Sequence, residues 1–155
     1  MSDISLVRGS FKNLANNLPT ILAKHLDELD LAEHRLSLRG KTLDDALKDQ
    51  GAWPIHYAFI KAEIDSLVKY VAMEIDRVRS DAFRKYEGYS RQLSDRTTDK
   101  YIDSDATFLN YQELYLELKE VHDKACAVVD AFTTRGFALR DITAARINSI
   151  HQTTL

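Results

Sequence analysis

The stretch YQELYLELKEVHDKACAVVDAF (residues 111–132) places Tyr111, Leu114, Leu118, Val121, Ala125, Val128 and Phe132 at alternating intervals of three and four. That spacing is a heptad-like seam on one face of a helix, sustained over three heptads. Tyr115, Cys126 and Val129 widen the stripe, so burial on two sides is expected. Upstream, Ile60, Ile64, Leu67, Val71, Ile75, Val78 and Ala82 follow spacings of 4, 3, 4, 4, 3 and 4, a second long seam with one local relaxation.

Working outward, each end of these helices has its own punctuation. Pro54 suits the first turn of the central helix and Gly88 marks its break, giving a helix over 54–87. Residues 89–106 are polar and read as a connecting loop or a weak helix. Arg135-Gly136-Phe137 predicts a break after the heptad helix 107–135, and Leu139, Ile142, Ile147 and Ile150 mark a C-terminal helix over 137–152. In the first fifty residues, Ile4, Val7, Phe11, Leu14 and Leu18 share a helix face. Leu22, Leu26, Leu29, Ala32 and Leu36 share another, which ends toward Gly40 as a C′ residue. Thr42 with Asp45 resembles a capping box for a short helix stopping near Gly51. The expected organisation is a helical segment over 1–50 followed by a helical core over 51–155.

Composition agrees with long helices and few corners. Only five glycines and two prolines occur among 155 residues, too few turn formers for a sandwich or barrel. The expected fold class is all-α, with long amphipathic helices in a hairpin or bundle that assembles into a homo-oligomer. No apolar run is long enough to span a membrane, and the start of the chain lacks the basic and apolar regions of a secretory signal. The lone Cys126 excludes an intrachain disulfide and a multi-cysteine zinc site. A soluble, intracellular protein is expected.

The net charge of −3 hides segregation along the chain. Residues 77–100 hold seven Lys/Arg and four acids, whereas residues 101–123 hold Lys119 against six acids. Arg77, Arg84 and Arg91 recur every seventh residue. Tyr86 and Tyr89 lie among them, and cationic grooves with stacking aromatics hold single strands. The competing reading is a solvated helix face.

Catalytic patterns are missing from the sequence. It has no Glu-x-x-His pair for a di-iron bundle, no His-Glu-x-x-His zinc helix, no Gly-x-Ser-x-Gly elbow and no Walker A loop. Glu113, Glu117 and Glu120 share a helix face near His122 and read as its water-facing side. Cys126 reads as a core residue and Trp53 as a helix-start anchor. No enzyme, cofactor or metal is expected.

The run Val129-Asp130-Ala131-Phe132-Thr133-Thr134-Arg135-Gly136-Phe137-Ala138-Leu139-Arg140-Asp141-Ile142 is similar to the C-terminal region of the T-even phage recombination mediators, the UvsY-like family. The helix from about Asp105 to Lys124, and a basic central helix ending in Arg84-Lys85-Tyr86-Glu87-Gly88, extend the likeness over roughly residues 50–150. The first fifty residues have no counterpart and read as a lineage-specific addition. The resemblance implies a small, non-enzymatic protein of phage DNA recombination, repair and replication, working in the cytoplasm of an infected bacterium. It implies a ring-shaped homo-oligomer that binds single-stranded DNA. It also implies partnership with a RecA-like recombinase, which the protein helps to displace single-strand-binding protein. The family's Lys-x-Arg pair finds its nearest equivalents in Arg77-Val78-Arg79 or Arg84-Lys85.

On this reading Arg77, Arg79, Arg84, Lys85, Arg91, Tyr86 and Tyr89 hold DNA, with Arg135 and Arg140 as secondary contacts. The other reading of Arg135 is a cation at the C-terminal end of its helix. Tyr111, Leu114, Leu118, Val121, Ala125, Val128 and Phe132, with Phe137 and Ile142, form the oligomer. The alternative, from another class, is an all-α coiled-coil structural or adaptor protein without a nucleic-acid role.

Overall fold

In the computed structural model, residues 14–89 and 95–152 are described, and every regular element among them is a helix: α1 Leu14–Asp30, α2 Ala32–Leu36, α3 Leu43–Tyr89, α4 Asp95–Asp103 and α5 Ala106–Gln152. The protein is all-α. Ile4, Val7 and Phe11 lie outside the described residues. The chain divides into two compact units, one from the described parts of Met1–Glu63 and Asp123–Leu155, the other from Ile64–His122.

Two expected breaks are absent, one at Gly51–Pro54 and one at Arg135-Gly136-Phe137. α3 begins where the capping box places it: Thr42 Oγ1 accepts the Asp45 N–H at 3.2 Å and donates to Asp45 Oδ2 at 2.6 Å. It then continues through Gly51 and Pro54. Pro54 lacks the N–H that would bond to the Gln50 carbonyl, a loss of about 3 kcal/mol in an isolated helix. Burial on both sides of it, at Ala46 and at the fully enclosed Tyr57, outweighs that loss. Likewise α5 runs unbroken through Arg135-Gly136-Phe137. A Cβ on Gly136 would lie 2.9 Å from Gln50 Nε2, and that same nitrogen donates to the Phe132 carbonyl at 2.8 Å. Gly136 therefore admits a crossing side chain from α3 rather than ending α5. Gly40 is left-handed at φ 71°, but it lies four residues beyond α2, as third residue of a β-turn closed by Lys41 N–H to the Leu38 carbonyl.

The core of the first unit is aromatic and polar at once. Tyr57 and Phe132 stack at 5.2 Å, with Leu18, Leu22, Leu29, Ala32 and Leu139 buried alongside in the same unit. Trp53 lies within α3 and not at its start, and the Arg35 guanidinium sits 3.9 Å over its ring. Arg35 also donates to the Glu28 carboxylate and, at 2.9 Å, to the Tyr57 hydroxyl. Tyr57 in turn donates to the Glu28 carbonyl at 3.1 Å, so α1, α2 and α3 are joined by one network.

Two carboxylates in this unit titrate below their usual range. Burial pushes Glu28 up, but hydrogen bonds from Arg35 and His56, with their charges, outweigh it. The hydrogen bond from Lys41 lowers Asp49 against opposing burial, helped by the charges of Lys41 and Arg135. A depressed carboxylate adds stability above its unfolded pKa, roughly 4, and that stability disappears as pH falls through the folded value. The melting temperature is therefore expected to hold from pH 7 to about 5 and to fall below about 4. Glu28→Gln flattens part of that acid limb. A melting temperature independent of pH across that limb would show that these pairs contribute nothing.

The second unit buries Ile64, Leu67, Val71 and Ala82 of α3, Ile102 of α4, and Phe108, Leu118 and Val121 of α5. His122 Nε2 stands 2.7 Å from Asp65 Oδ1, while Glu113, Glu117 and Glu120 are exposed. The span read as a connection contains α4, anchored by Thr98 and Ile102, an i, i+4 pair buried to 6% and 1% exposure. No helix among the described residues is long and apolar enough to cross a membrane.

Candidate nucleic-acid interface

At 100° per residue, Arg77 and Arg84 project from one side of α3, well away from its buried seam, whereas Arg79 projects roughly 140–160° from them. All three guanidiniums reach solvent, and each has an acid nearby. Arg77 is the most committed: Nε and Nη2 both donate to Glu74 Oε2, at 3.1 and 2.6 Å. That hydrogen bond raises its pKa. Arg79 stands 3.6 Å from Asp99 and Arg84 3.8 Å from Asp81. Those separations exceed the 2.7–2.9 Å of a good charge-assisted bond, so both guanidiniums are free to turn toward an added anion.

A shallow groove of about 320 Å³ opens between α3 and α4 at these two arginines. It is lined by Arg79, Ser80, Phe83, Arg84, Asp99 and Ile102. Ile102 is buried, and Phe83 keeps 39% of its surface exposed. The groove thus pairs two exposed, loosely paired cations with an open aromatic ring.

Lys85 and Tyr86 are organised differently. Both converge on Asp105 Oδ2, at 3.4 and 3.0 Å, while Asp105 Oδ1 accepts the N–H groups of Thr107 and Phe108 at the start of α5. The Tyr86 hydrogen bond contributes most to holding Asp105 below its usual range; burial opposes it, and the two amides and Lys85 add to the lowering. Tyr86 also stacks on Tyr101 at 5.7 Å. These contacts pin the end of α3 to α4 and α5. Arg91 and the Tyr89 side chain lie outside the described residues.

The two secondary arginines part company. Arg140 is exposed, its Nε 3.6 Å from Asp141 and its guanidinium 5.2 Å over Phe137. Arg135 is 6% exposed and donates to the carbonyls of Arg35 and Ala46, both at 3.2 Å. It is a core residue, unable to meet a phosphate from that position. Nor does it stand at the end of its own helix; it reaches a carbonyl in the last turn of α2 instead. Burial lowers its pKa, against the charge of Asp49.

Of the residues read as an oligomer seam, Leu118, Val121, Ala125 and Phe132 are buried by this chain's own packing. Tyr111, Leu114 and Val128 are half-buried, and Phe137 and Ile142 are 55% and 41% exposed. Sequence reasoning missed Phe83, Asp99 and Ile102. Phe83 follows the seam residue Ala82 with no pattern of its own, and the Thr98–Ile102 pair was the single clue to α4. Among the described residues no group of three or more His, Cys, Asp or Glu side chains could hold a metal ion. Comparison with protein-family models, curated proteins and solved structures finds no match for this chain.

Proposed function

We propose that this protein is a non-enzymatic recombination mediator of the UvsY-like kind. It binds single-stranded DNA and helps a RecA-like recombinase replace single-strand-binding protein, acting as a homo-oligomeric helical bundle in the cytoplasm of an infected bacterium. The observation that carries the reading is the α3–α4 groove, where Arg79 and Arg84 are loosely held beside an exposed Phe83. Arg77, Lys85, Tyr86, Tyr89 and Arg91 extend the cationic and aromatic segment, and Arg140 is a secondary contact. Phe137 and Ile142 are the seam residues left open to a neighbouring copy.

Fluorescence anisotropy of labelled single- and double-stranded oligonucleotides over a range of salt tests this reading. The single strand is expected to bind more tightly and with a steep salt dependence. Arg79→Glu with Arg84→Glu should weaken it by about 100-fold and reduce the salt slope by at least roughly 1.4, two phosphate contacts at about 0.7 each. No binding at low salt ends the reading.

A second reading, a coiled-coil adaptor without nucleic acid, is favoured by one observation. Ile55 and Phe59, one turn apart on α3, are 59% and 67% exposed, and adjacent apolar side chains left open on a helix suit a partner helix. It predicts that the same charge reversals leave function untouched.

A further inference from the structure

We infer that the α3–α4 groove takes one unpaired nucleobase onto Phe83, and that this contact, rather than the arginines, makes the site select single over double strands. The inference rests on the single-strand reading above and adds a base contact to it. Phosphate contacts alone favour any polyanion, and a duplex offers more charge per unit length than a single strand. Selection needs a group that engages what a duplex hides, namely the face of a base.

Phe83 meets that need. It lies one helical turn beyond Arg79 and immediately before Arg84, and the three side chains line the same groove, so a base laid on its ring lies beside cationic groups that its flanking phosphates can meet. At 39% exposure the ring is open to solvent, and Ile102, 1% exposed, makes an apolar floor beside it. The groove, about 320 Å³, is shallow and open to solvent, a surface on which the face of a single base can lie. Asp99 stands at the rim, 3.6 Å from Arg79. Its carboxylate repels a phosphate but accepts hydrogen bonds from the amino groups of a base, which fits a base, not a phosphate, on that side.

The test compares a labelled 25-nucleotide deoxycytidine strand, whose bases carry an amino group, with an abasic strand of the same length and charge, using the full chain. The protein is expected to bind the base-bearing strand about tenfold or more tightly than the abasic one. Phe83→Ala and Phe83→Leu should lose that preference while abasic binding stays as it was, and Phe83→Trp should keep it, with far-UV circular dichroism showing each variant folded. The leucine variant preserves apolar bulk, so its loss of preference separates stacking from packing. Equal wild-type binding to both strands overturns the base contact and leaves the single-strand reading standing. A preference that persists in the folded leucine variant overturns it as well. Binding to neither strand overturns both.

Discussion

Phe132→Ala is expected to destabilise the first unit by about 3–5 kcal/mol, the range for removing a fully enclosed phenylalanine from a core. The ring is completely buried, stacks on Tyr57 at an interplanar angle of 22°, and lies 5.9 Å beneath the Arg135 guanidinium. Its removal opens a void that two helices crossing through Gln50 and Gly136 cannot close by sliding. Urea unfolding, followed by circular dichroism, gives the change directly. Phe132→Leu should recover part of it. A loss below about 1 kcal/mol would mean that the Tyr57–Phe132 stack is peripheral and that the seam is available for contact with another copy.

Arg135→Ala is the second large effect, a loss of about 3 kcal/mol. A buried guanidinium bonded to two carbonyls leaves them poorly satisfied when it is truncated, at about 1–3 kcal/mol for a buried polar group, and the void adds to that. The charge itself contributes little. Asp49 lies 4.0 Å away, and the guanidinium Nε has no hydrogen-bond partner, so Arg135→Met, which refills the void but donates to neither carbonyl, should recover the packing part of the loss and leave the hydrogen-bond part. Titrating single-stranded DNA with the folded methionine variant separates structure from binding. Unchanged affinity is expected, and a large loss of affinity would return Arg135 to the DNA-binding set.

The two seams were legible because they repeat a spacing that only a helix satisfies. Leu118, Val121, Ala125 and Phe132, and Ile64, Leu67 and Val71, lie inward as their period requires. Helix ends were less legible where tertiary packing overrides local preference. In isolation Pro54 looks like a helix start and Gly136 like a terminator, yet Tyr57, stacked on Phe132, and Gln50, set against Gly136, supply reasons for each helix to continue, and both pairings join residues more than 70 positions apart. The cap at Thr42 was legible because its partner, Asp45, is three residues away. The basic segment was visible as composition, but a one-dimensional count could not separate Arg79 and Arg84, which share a groove, from Arg77, held by Glu74, or from Arg135, which is buried. Phe83 had no signal at all, since its partners Asp99 and Ile102 come from a helix in a stretch that reads as polar connection.

The double role of Asp105 has a consequence for observing the molecule at work. One oxygen serves the first amides of α5 and the other serves Tyr86 and Lys85, so the two helix ends share a single carboxylate. Whatever draws Lys85 away, or turns Tyr86, also alters the acceptor that shields Thr107 and Phe108 from solvent. Deuterium uptake at those two amides is thus a native reporter of events at the end of α3, readable without a label on the cationic face.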